Sequence, residues 1–566
     1  MTEPLILKRA VPAEAARVLC DAGIPPLLAR VYAARGVSGM EQLSDEFERL
    51  HRPESMLNMK RMAQLLADAI AARRRLLIVA DYDADGATAC AVGLRALRAM
   101  GADVFYIVPN RFEYGYGLTP EIVQLAHRTH HPDVIITVDN GIASVDGVAE
   151  ANRLGMQVLV TDHHLPGDTL PDAWCIVNPN QPGCQFASKN LAGVGVMFYL
   201  MLALRAELKD RRALEDNGPN LAVLLDLVAL GTVADVVQLD DNNRRLVQQG
   251  LKRMRAGRYQ PGVAALFRAA ARDIARASTY DLGFALGPRL NAAGRLTDMT
   301  LGIECLTTDD VLRADQIARE LDALNRERRN IEADMQEAAL ASIESTSCGD
   351  EYTLSLFDPA WHQGVIGIVA SRIKDRYHRP TIAFARGSAG EIKGSARSIA
   401  GLHMRDALDL VTKRHPGLIL KFGGHAAAAG LTLRESDFER FCTAFEDTVR
   451  SLVSASDLER QIETDGSLSL EEATLEAAAA LAMQPWGSGF PEPRFHDTFD
   501  VASQRVVGGR HLRLKLLRDA RPFDAILFGA VDELPPRIAA VYRLEVNEYR
   551  SERTLQLTLH HWRSAV

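Results

Sequence analysis

Aspartate and histidine recur in this chain where a fold could gather them. DYDADG (81–86) sets Asp81, Asp83 and Asp85 at i, i+2 and i+4 directly after an apolar run. Asp139 follows VIITV in the same way, and Asp162, His163 and His164 follow VLVT. Asp235 lies near the end of the apolar stretch 221–237. Acids converging on one place repel each other by kcal/mol amounts unless cations lie among them. Carboxylates joined by one or two imidazoles, with no thiolate near, suit Mg²⁺ or Mn²⁺ better than zinc. Two such ions about 3.5–4 Å apart can share a carboxylate, activate water and neutralise a phosphoryl group. The chemistry indicated is metal-assisted phosphoester hydrolysis. DYDADG also has the spacing of half an EF-hand loop. That loop needs a glutamate at its twelfth position, where Val92 stands, and a helix in front. A solvated acidic turn would account for one such cluster but not for its recurrence.

These residues meet only if the elements before them lie side by side. RLLIVA (75–80), VFYIVP (104–109), VIITV (134–138) and VLVT (158–161) read as buried strands separated by helical segments. The pattern predicts an α/β fold with a doubly wound, mostly parallel sheet, whose carboxyl ends line one crevice. A small-residue helix is expected at 86–100. Segment 221–237 reads as an apolar helix ending near Gly231, with Asp235 on a short element behind it. Residues 311–345 lack Gly and Pro and keep a helical period, which predicts a connecting helix about 50 Å long. A second α/β unit opens at 355–377. After about 455, HLRLKLL (511–517), FDAILFG (523–529), AAVYRLEVNEY (539–549) and TLQLTLHHW (554–562) alternate with turns, as in a small β-barrel. The expected division is an extension at 1–50, a catalytic domain at 51–305, a connecting helix at 306–348, a substrate-binding domain at 349–454 and a barrel at 455–566.

Several residues outside the cluster suit phosphate. Arg111 falls in a strand-to-loop segment, and Arg289 follows a Gly-Pro turn with Asn291 close behind. A guanidinium fork matches phosphate oxygens bidentately, and an ion pair is the plainer use of each arginine. FGGH offers the unobstructed backbone N–H groups of Gly423 and Gly424 beside His425, or simply tight packing. Strand alternation puts Leu512, Leu514 and Leu516 on one face of the barrel and Arg513 and Lys515 on the other. A basic barrel face fits single-stranded nucleic acid, with Phe523, Phe528, Tyr542 and Tyr549 as stacking platforms or core.

At 566 residues the chain is too long for one core. It has 47% hydrophobic and 24% charged residues, as folded proteins do. No apolar run is long enough to span a membrane, and the first residues lack the apolar core of a secretory leader. Seven scattered cysteines without CxxC argue for a reducing compartment, hence the cytoplasm. A net charge of -8 does not exclude nucleic acid, since bound cations neutralise the acidic cluster and a local basic surface suffices.

In that order on successive strands, DYDADG, VDNG and TDHH resemble the DHH phosphoesterase superfamily. GSARS (394–398) and FGGHAAAAG (422–430) resemble its DHH-associated substrate-binding domain, which draws Ser395 and Arg397 into the nucleic-acid-binding set. VPNRFEYGYGL (108–118), GPRLNAAGR (287–295) and the barrel resemble the bacterial members specific for single-stranded DNA, and the likeness runs from about 50 to the C-terminus. The resemblance implies a 5′→3′ exonuclease of DNA repair and recombination that releases 5′-mononucleotides, using two Mn²⁺ or Mg²⁺ ions. It implies that Asp83 and Asp85 ligate the two ions separately, Asp139 bridges them, and His163 and Asp235 complete the second site. His164 would face the scissile phosphate, Asp162 would orient the histidines, and Asp81 would lie at or beside the first ion. Arg111 and Arg289 would recognise the 5′ phosphate. Expected partners are single-stranded DNA, a single-strand-binding protein and a helicase, around a monomer. The alternatives are a small-substrate member acting on nanoRNA or cyclic dinucleotides, which has no use for the barrel, and a silent scaffold, which would have lost the acids.

Overall fold

The structure is a computed structural model that describes residues 3–110, 114, 117–215, 217–345, 350–388, 390–549 and 552–565. The chain forms two compact units. One comprises Lys8–Asp322 with Thr464–Val566, the other Met1–Leu7 with Ala323–Glu463.

A short strand, β1 (Leu5–Lys8), precedes the catalytic sheet. That sheet contains β2 (Arg75–Ala80), β3 (Asp103–Ile107), β4 (Val134–Val138), β5 (Gln157–Thr161) and β6 (Cys175–Val177) in the order β3-β2-β4-β5-β6. Every pairing is parallel. β2 and β4 are buried almost throughout, as continuous Val/Ile/Leu runs require when helices cover both faces. The order reverses direction between β2 and β4, and that switch point is where open α/β sheets bind ligands. Asp81 follows one of these strands and Asp139 the other.

Three helices deliver the remaining backbone of the site: α1 (Ala84–Ala99), α2 (Gly193–Asp210) and α3 (Leu225–Ala234). α3 does not end near Gly231 as its sequence suggests; it continues to Ala234, and Asp235 is its C-cap. Gly231 is a packing glycine here. A Cβ on it would stand 2.1 Å from Thr88 Oγ1 and 2.9 Å from Asp85 Oδ1. Helix α4 (Gly287–Leu296) likewise replaces the expected Gly-Pro turn, continuing the helical stretch that begins at Asp281.

Helix α5 runs from Val311 to Ser345. The second unit has a five-stranded sheet of β7 (Leu354–Phe357), β8 (Thr381–Arg386), β9 (Glu391–Arg397), β10 (Lys421–Gly424) and β11 (Ala428–Arg434), ordered β10-β11-β9-β8-β7. Only β7 and β8 pair in parallel, and α6 (Ile366–Tyr377) lies between them in sequence. β12 (Gln461–Thr464) pairs with β1. The C-terminal strands β13 (Phe495–Val507), β14 (His511–Arg518), β15 (Arg521–Phe528), β16 (Arg537–Tyr549) and β17 (Glu552–Ser564) close into a barrel ordered β13-β14-β15-β17-β16. Among the described residues no helix is long and apolar enough to cross a membrane.

Residues 8–50 are part of the catalytic unit. Arg244 donates to the Gln42 carbonyl, and Arg245 to those of Glu41 and Ser44. Arg30 pairs with Glu472, while Arg35 clasps Asp465 at 2.6 and 3.0 Å. The Arg35 and Asp465 side chains are only 1% and 2% exposed. Removing one member of a buried pair strands the other charge, at a cost of about 3–5 kcal/mol. Arg35→Ala should therefore lower the denaturant midpoint of this unit strongly. A loss below about 1 kcal/mol, the level of a surface pair, would contradict this account.

Candidate active site

The strand ends and helix starts hold the acids by backbone hydrogen bonds. Asp83 caps α1, its Oδ1 accepting from the N–H groups of Asp85 and Gly86 at 2.9 and 3.0 Å. Asp81 Oδ1 accepts from Tyr82 N–H. Asp85 is fully buried and turns to the N-terminus of α2, where its two oxygens accept from Gly193 and Val194 N–H at 2.6 and 2.9 Å. Asp139 takes a left-handed φ of 64° at the end of β4, a conformation Asp tolerates better than most residues. Gly193 lets α2 reach it, since a Cβ there would lie 2.7 Å from Asp139 Cβ.

The histidines divide. Asp162 Oδ1 accepts from the backbone of His163 and His164 and contacts His164 Nδ1 at 2.8 Å, while Oδ2 accepts from Ile142 N–H. Burial opposes its ionisation, yet the His164 bond and charge hold its carboxyl below the ordinary range. Burial also pulls His164 down, but its bond to Asp162 outweighs that and lifts it to about 9. His163 is depressed to about 4, by burial first and by His164 second. Its Nε2 lies 3.0 Å from Asp139 Oδ1 and 3.6 Å from Asp235 Oδ2. At neutral pH one ring is thus a cation and the other a neutral lone-pair donor.

Three overlapping groups have ligand atoms all within 4.8 Å: Asp81–Asp83–Asp139, Asp139–His163–His164 and Asp85–His163–Asp235. Burial, then the charge of Asp83, pushes Asp85 up to about 7. Burial and the neighbouring acids raise Asp139 and Asp235 well above the ordinary carboxylate range. Such a donor set, hard oxygens with one neutral imidazole and mutual repulsion to be offset, fits divalent cations.

Family comparisons agree along the length of the chain. Residues 75–232 match the DHH family N-terminal domain, 349–451 the DHHA1 domain and 464–561 the RecJ OB domain. A single-stranded-DNA-specific exonuclease RecJ from Dickeya dadantii is 50% identical over 553 residues, 95% of this chain and 96% of that protein. The Escherichia coli protein of the same name is 48% identical over the same span. The chain belongs to the RecJ family. RecJ of Thermus thermophilus in complex with Mn²⁺ superposes with a TM-score of 0.83 at 29% identity, covering 99% of this chain and 79% of that one. The same protein has also been solved with Mg²⁺.

The other residues singled out from sequence fall in three places. Arg289, on α4, is buried, donates to the Ala285 carbonyl and pairs with Asp322 at 2.8 Å. Asn291 Oδ1 accepts from Ala84 N–H at 2.7 Å, tying α4 to the start of α1. Arg111 lies outside the described residues.

In the second unit, Arg397 donates to Ser395 Oγ and Ser371 Oγ, against a glycine (Gly367) whose Cβ would stand 2.6 Å from its guanidinium. Gly423, Gly424 and His425 form an exposed hairpin tip at the end of β10. Gly424 has φ 150°, and His425 N–H closes the hairpin on the Ala428 carbonyl.

On the barrel, Leu512, Leu514 and Leu516 are buried and Arg513 is exposed, following the alternation. Lys515 contacts Asp524 at 3.2 Å. Arg513 stands directly opposite Arg505 in the β13–β14 ladder, a like-charge pairing that destabilises a sheet unless an anion bridges it. Phe523 and Tyr542 are core residues rather than platforms, 5% and 1% exposed, because both point into the closed barrel. Phe528 is exposed beside His511, and the Tyr549 side chain lies outside the described set.

Residues that act by long-range hydrogen bonds leave little local trace in the sequence. Asn178 and Asn180 hold the His164 and His163 carbonyls at 2.9 and 2.6 Å. Asn140 spans the Val79 and Val138 carbonyls. VNPN (177–180) and LAGVG (191–195) carried the only local signal, as turn residues between predicted elements.

The shifts set a pH dependence. Asp85 is raised above its ordinary 3.8, so the metal-free fold binds extra protons, and that stability is lost as pH rises through about 7. His164 acts in the same sense up to about 9, while the depressed His163 acts oppositely, between about 4 and its ordinary 6.5. Mn²⁺ held by the carboxylates would take the place of the protons on them. The rise in melting temperature on adding Mn²⁺ should therefore be markedly larger at pH 8 than at pH 6, measured by differential scanning fluorimetry. Equal shifts at both would refute cation replacement of protons.

Proposed function

We propose that this chain hydrolyses phosphodiester bonds at the 5′ end of single-stranded DNA, releasing 5′-mononucleotides, with Mn²⁺ or Mg²⁺ held at the acidic cluster. The cluster offers three ligand groups in which Asp139 and His163 are each used twice, as a pair of cations requires. In this reading Asp83 would hold the first ion with Asp81 beside it. Asp85, His163 and Asp235 would hold the second, and Asp139 would serve both. Bound cations there supply Lewis-acid polarisation of the phosphoryl group and acidify water.

The chain's own residues do the rest. Asp162 fixes both histidines through bonds it already makes. His164, half exposed and cationic, donates to an oxygen of the scissile phosphate. Arg111 and Arg289 receive the 5′ phosphate, which would enforce end binding and polarity. Arg289 must leave Asp322 to do so. Ser395, Arg397, Gly423, Gly424 and His425 form a second phosphate-binding surface, and Arg513 and Lys515 hold the strand on the barrel.

In this reading the catalytic domain (51–305), the substrate-binding domain (349–454) and the barrel (455–566) divide the labour. The barrel and its opposed arginines favour a polymer over a cyclic dinucleotide or nanoRNA. A strand-separating helicase and a single-strand-binding protein are the proposed partners of a cytoplasmic monomer, since an enzyme confined to single strands needs them exposed.

The test uses 5′-labelled single-stranded and duplex oligonucleotides with Mn²⁺. Label should be released as mononucleotide from the single strand alone. Asp139→Ala should abolish release while leaving folding and strand binding intact; activity within about tenfold of wild type would exclude a bridging role. Arg505→Ala/Arg513→Ala should weaken strand binding and lower its salt dependence by about one to two phosphate contacts. An unchanged salt slope would remove the barrel face from the account.

A further inference from the structure

Residues 272–291 carry an aromatic pair with no part in the chemistry above. Tyr280 and Phe284 are 47% and 68% exposed. Their rings stack, with centroids 5.0 Å apart and planes inclined by 26°. Aromatic side chains bury large areas when they can, so a stacked pair left in water marks a surface with an occupant.

The segment is built to present them. Asp281–Leu286 is a stretch of π-helix that runs directly into α4, and such stretches concentrate at functional places. Ser278 N–H and Oγ bond to Asp281 Oδ2 at 3.0 and 2.7 Å. The Arg272 guanidinium lies 5.7 Å from the Tyr280 ring centroid, with Asp281 Oδ1 at 3.6 Å. A cation beside an open aromatic face suits a ligand that is both planar and anionic.

Its position within the catalytic unit names that ligand. At one end of the segment Asn291 bonds to Ala84 of the DYDADG turn. At the other, Arg276 is paired with Glu548 on barrel strand β16. Between them, Gly283 and Gly287 back onto Val233 and Ala234, the last residues of the helix that Asp235 caps. The aromatic pair therefore lies between the metal-ligand cluster and the barrel. Phe284 is about 10 Å along the helix from Asn291, the length of roughly three stacked nucleotides.

We propose that Tyr280 and Phe284 form a stacking platform for an unpaired nucleobase of the strand that runs from the metal cluster to the barrel, with Arg272 close to its phosphate. The proposal rests on the single-strand reading above and deepens it. A base stacked between its neighbours in a duplex has no free face to offer, so the platform selects single strands without reading base edges. Stacking of this kind tolerates every base, because each has a π-face.

The test uses the full-length, Mn²⁺-loaded protein and 5′-phosphorylated single strands of one length, intact or with one abasic residue moved along the first several positions. Wild type should show KM raised about tenfold when the abasic residue meets the platform, within a few nucleotides of the 5′ end, with kcat little changed. Tyr280→Leu/Phe284→Leu should raise KM about tenfold on the intact strand and lose the dependence on abasic position. Tyr280→Phe and Phe284→Tyr should behave as wild type. In parallel, 2-aminopurine at the sensitive position should be quenched on binding to wild type and not to the Leu variant.

Wild-type KM for the Leu variant on intact strands overturns the platform, as does an equal loss on abasic and intact strands. If wild type binds single strands without cleaving them, the catalytic reading fails while the quenching comparison still decides the platform. If it binds none, both fall.

Discussion

The structure turns on mutual repulsion among buried carboxylates. Asp81, Asp85 and Asp139 are all nearly inaccessible and Asp235 sits beside them, so Asp85, Asp139 and Asp235 each resist ionisation in the presence of their neighbours. A fold that keeps such a group together must supply positive ends of dipoles, exclude competing side chains and leave room for cations. The parallel sheet does the first part by ending β2, β4 and β5 at one rim, and helices α1 and α2 aim their N-termini at Asp83 and Asp85. Gly193 and Gly231 do the second, by bringing helices to the acids at distances that no Cβ would allow.

The same constraint separates two adjacent histidines of identical chemistry. Asp162 commits its oxygens to His164 and to backbone N–H groups, so His164 gains a proton. His163, turned to Asp139 and Asp235 and bonded to the Leu191 backbone, stays neutral and available as a ligand. Asp162 thus assigns the proton of one ring, while burial and the charge of that ring keep the other neutral. The barrel shows the complementary situation. Arg505 faces Arg513 across a ladder, and an anionic strand is the natural counter-charge there.

Much of this was legible in the sequence, because the signals are local. Strand-end acids follow their strands by one residue, and buried parallel strands announce themselves as unbroken Val/Ile/Leu runs. The 311–345 helix and the Leu/Arg alternation of 511–517 were readable for the same reason. What escaped depends on contacts distant in sequence. Gly231 reads as a helix end and is a packing glycine against Thr88 and Asp85. Arg289 reads as a loop arginine after a turn and is a helical residue paired with Asp322. The first fifty residues carry no motif, yet Arg35 meets Asp465 across most of the chain length. Aromatics give no sign of which face water: Tyr542 fills the barrel, while Phe284 stands exposed.

In the proposed reading, cations shared through Asp139 offset the repulsion among these acids. This reading is tested most directly by electron paramagnetic resonance of the protein titrated with Mn²⁺. Saturation at two ions per chain with an exchange-coupled spectrum is expected, with the coupling lost in Asp139→Asn. Saturation at a single ion with an isolated-ion spectrum, or coupling that survives the substitution, would contradict it.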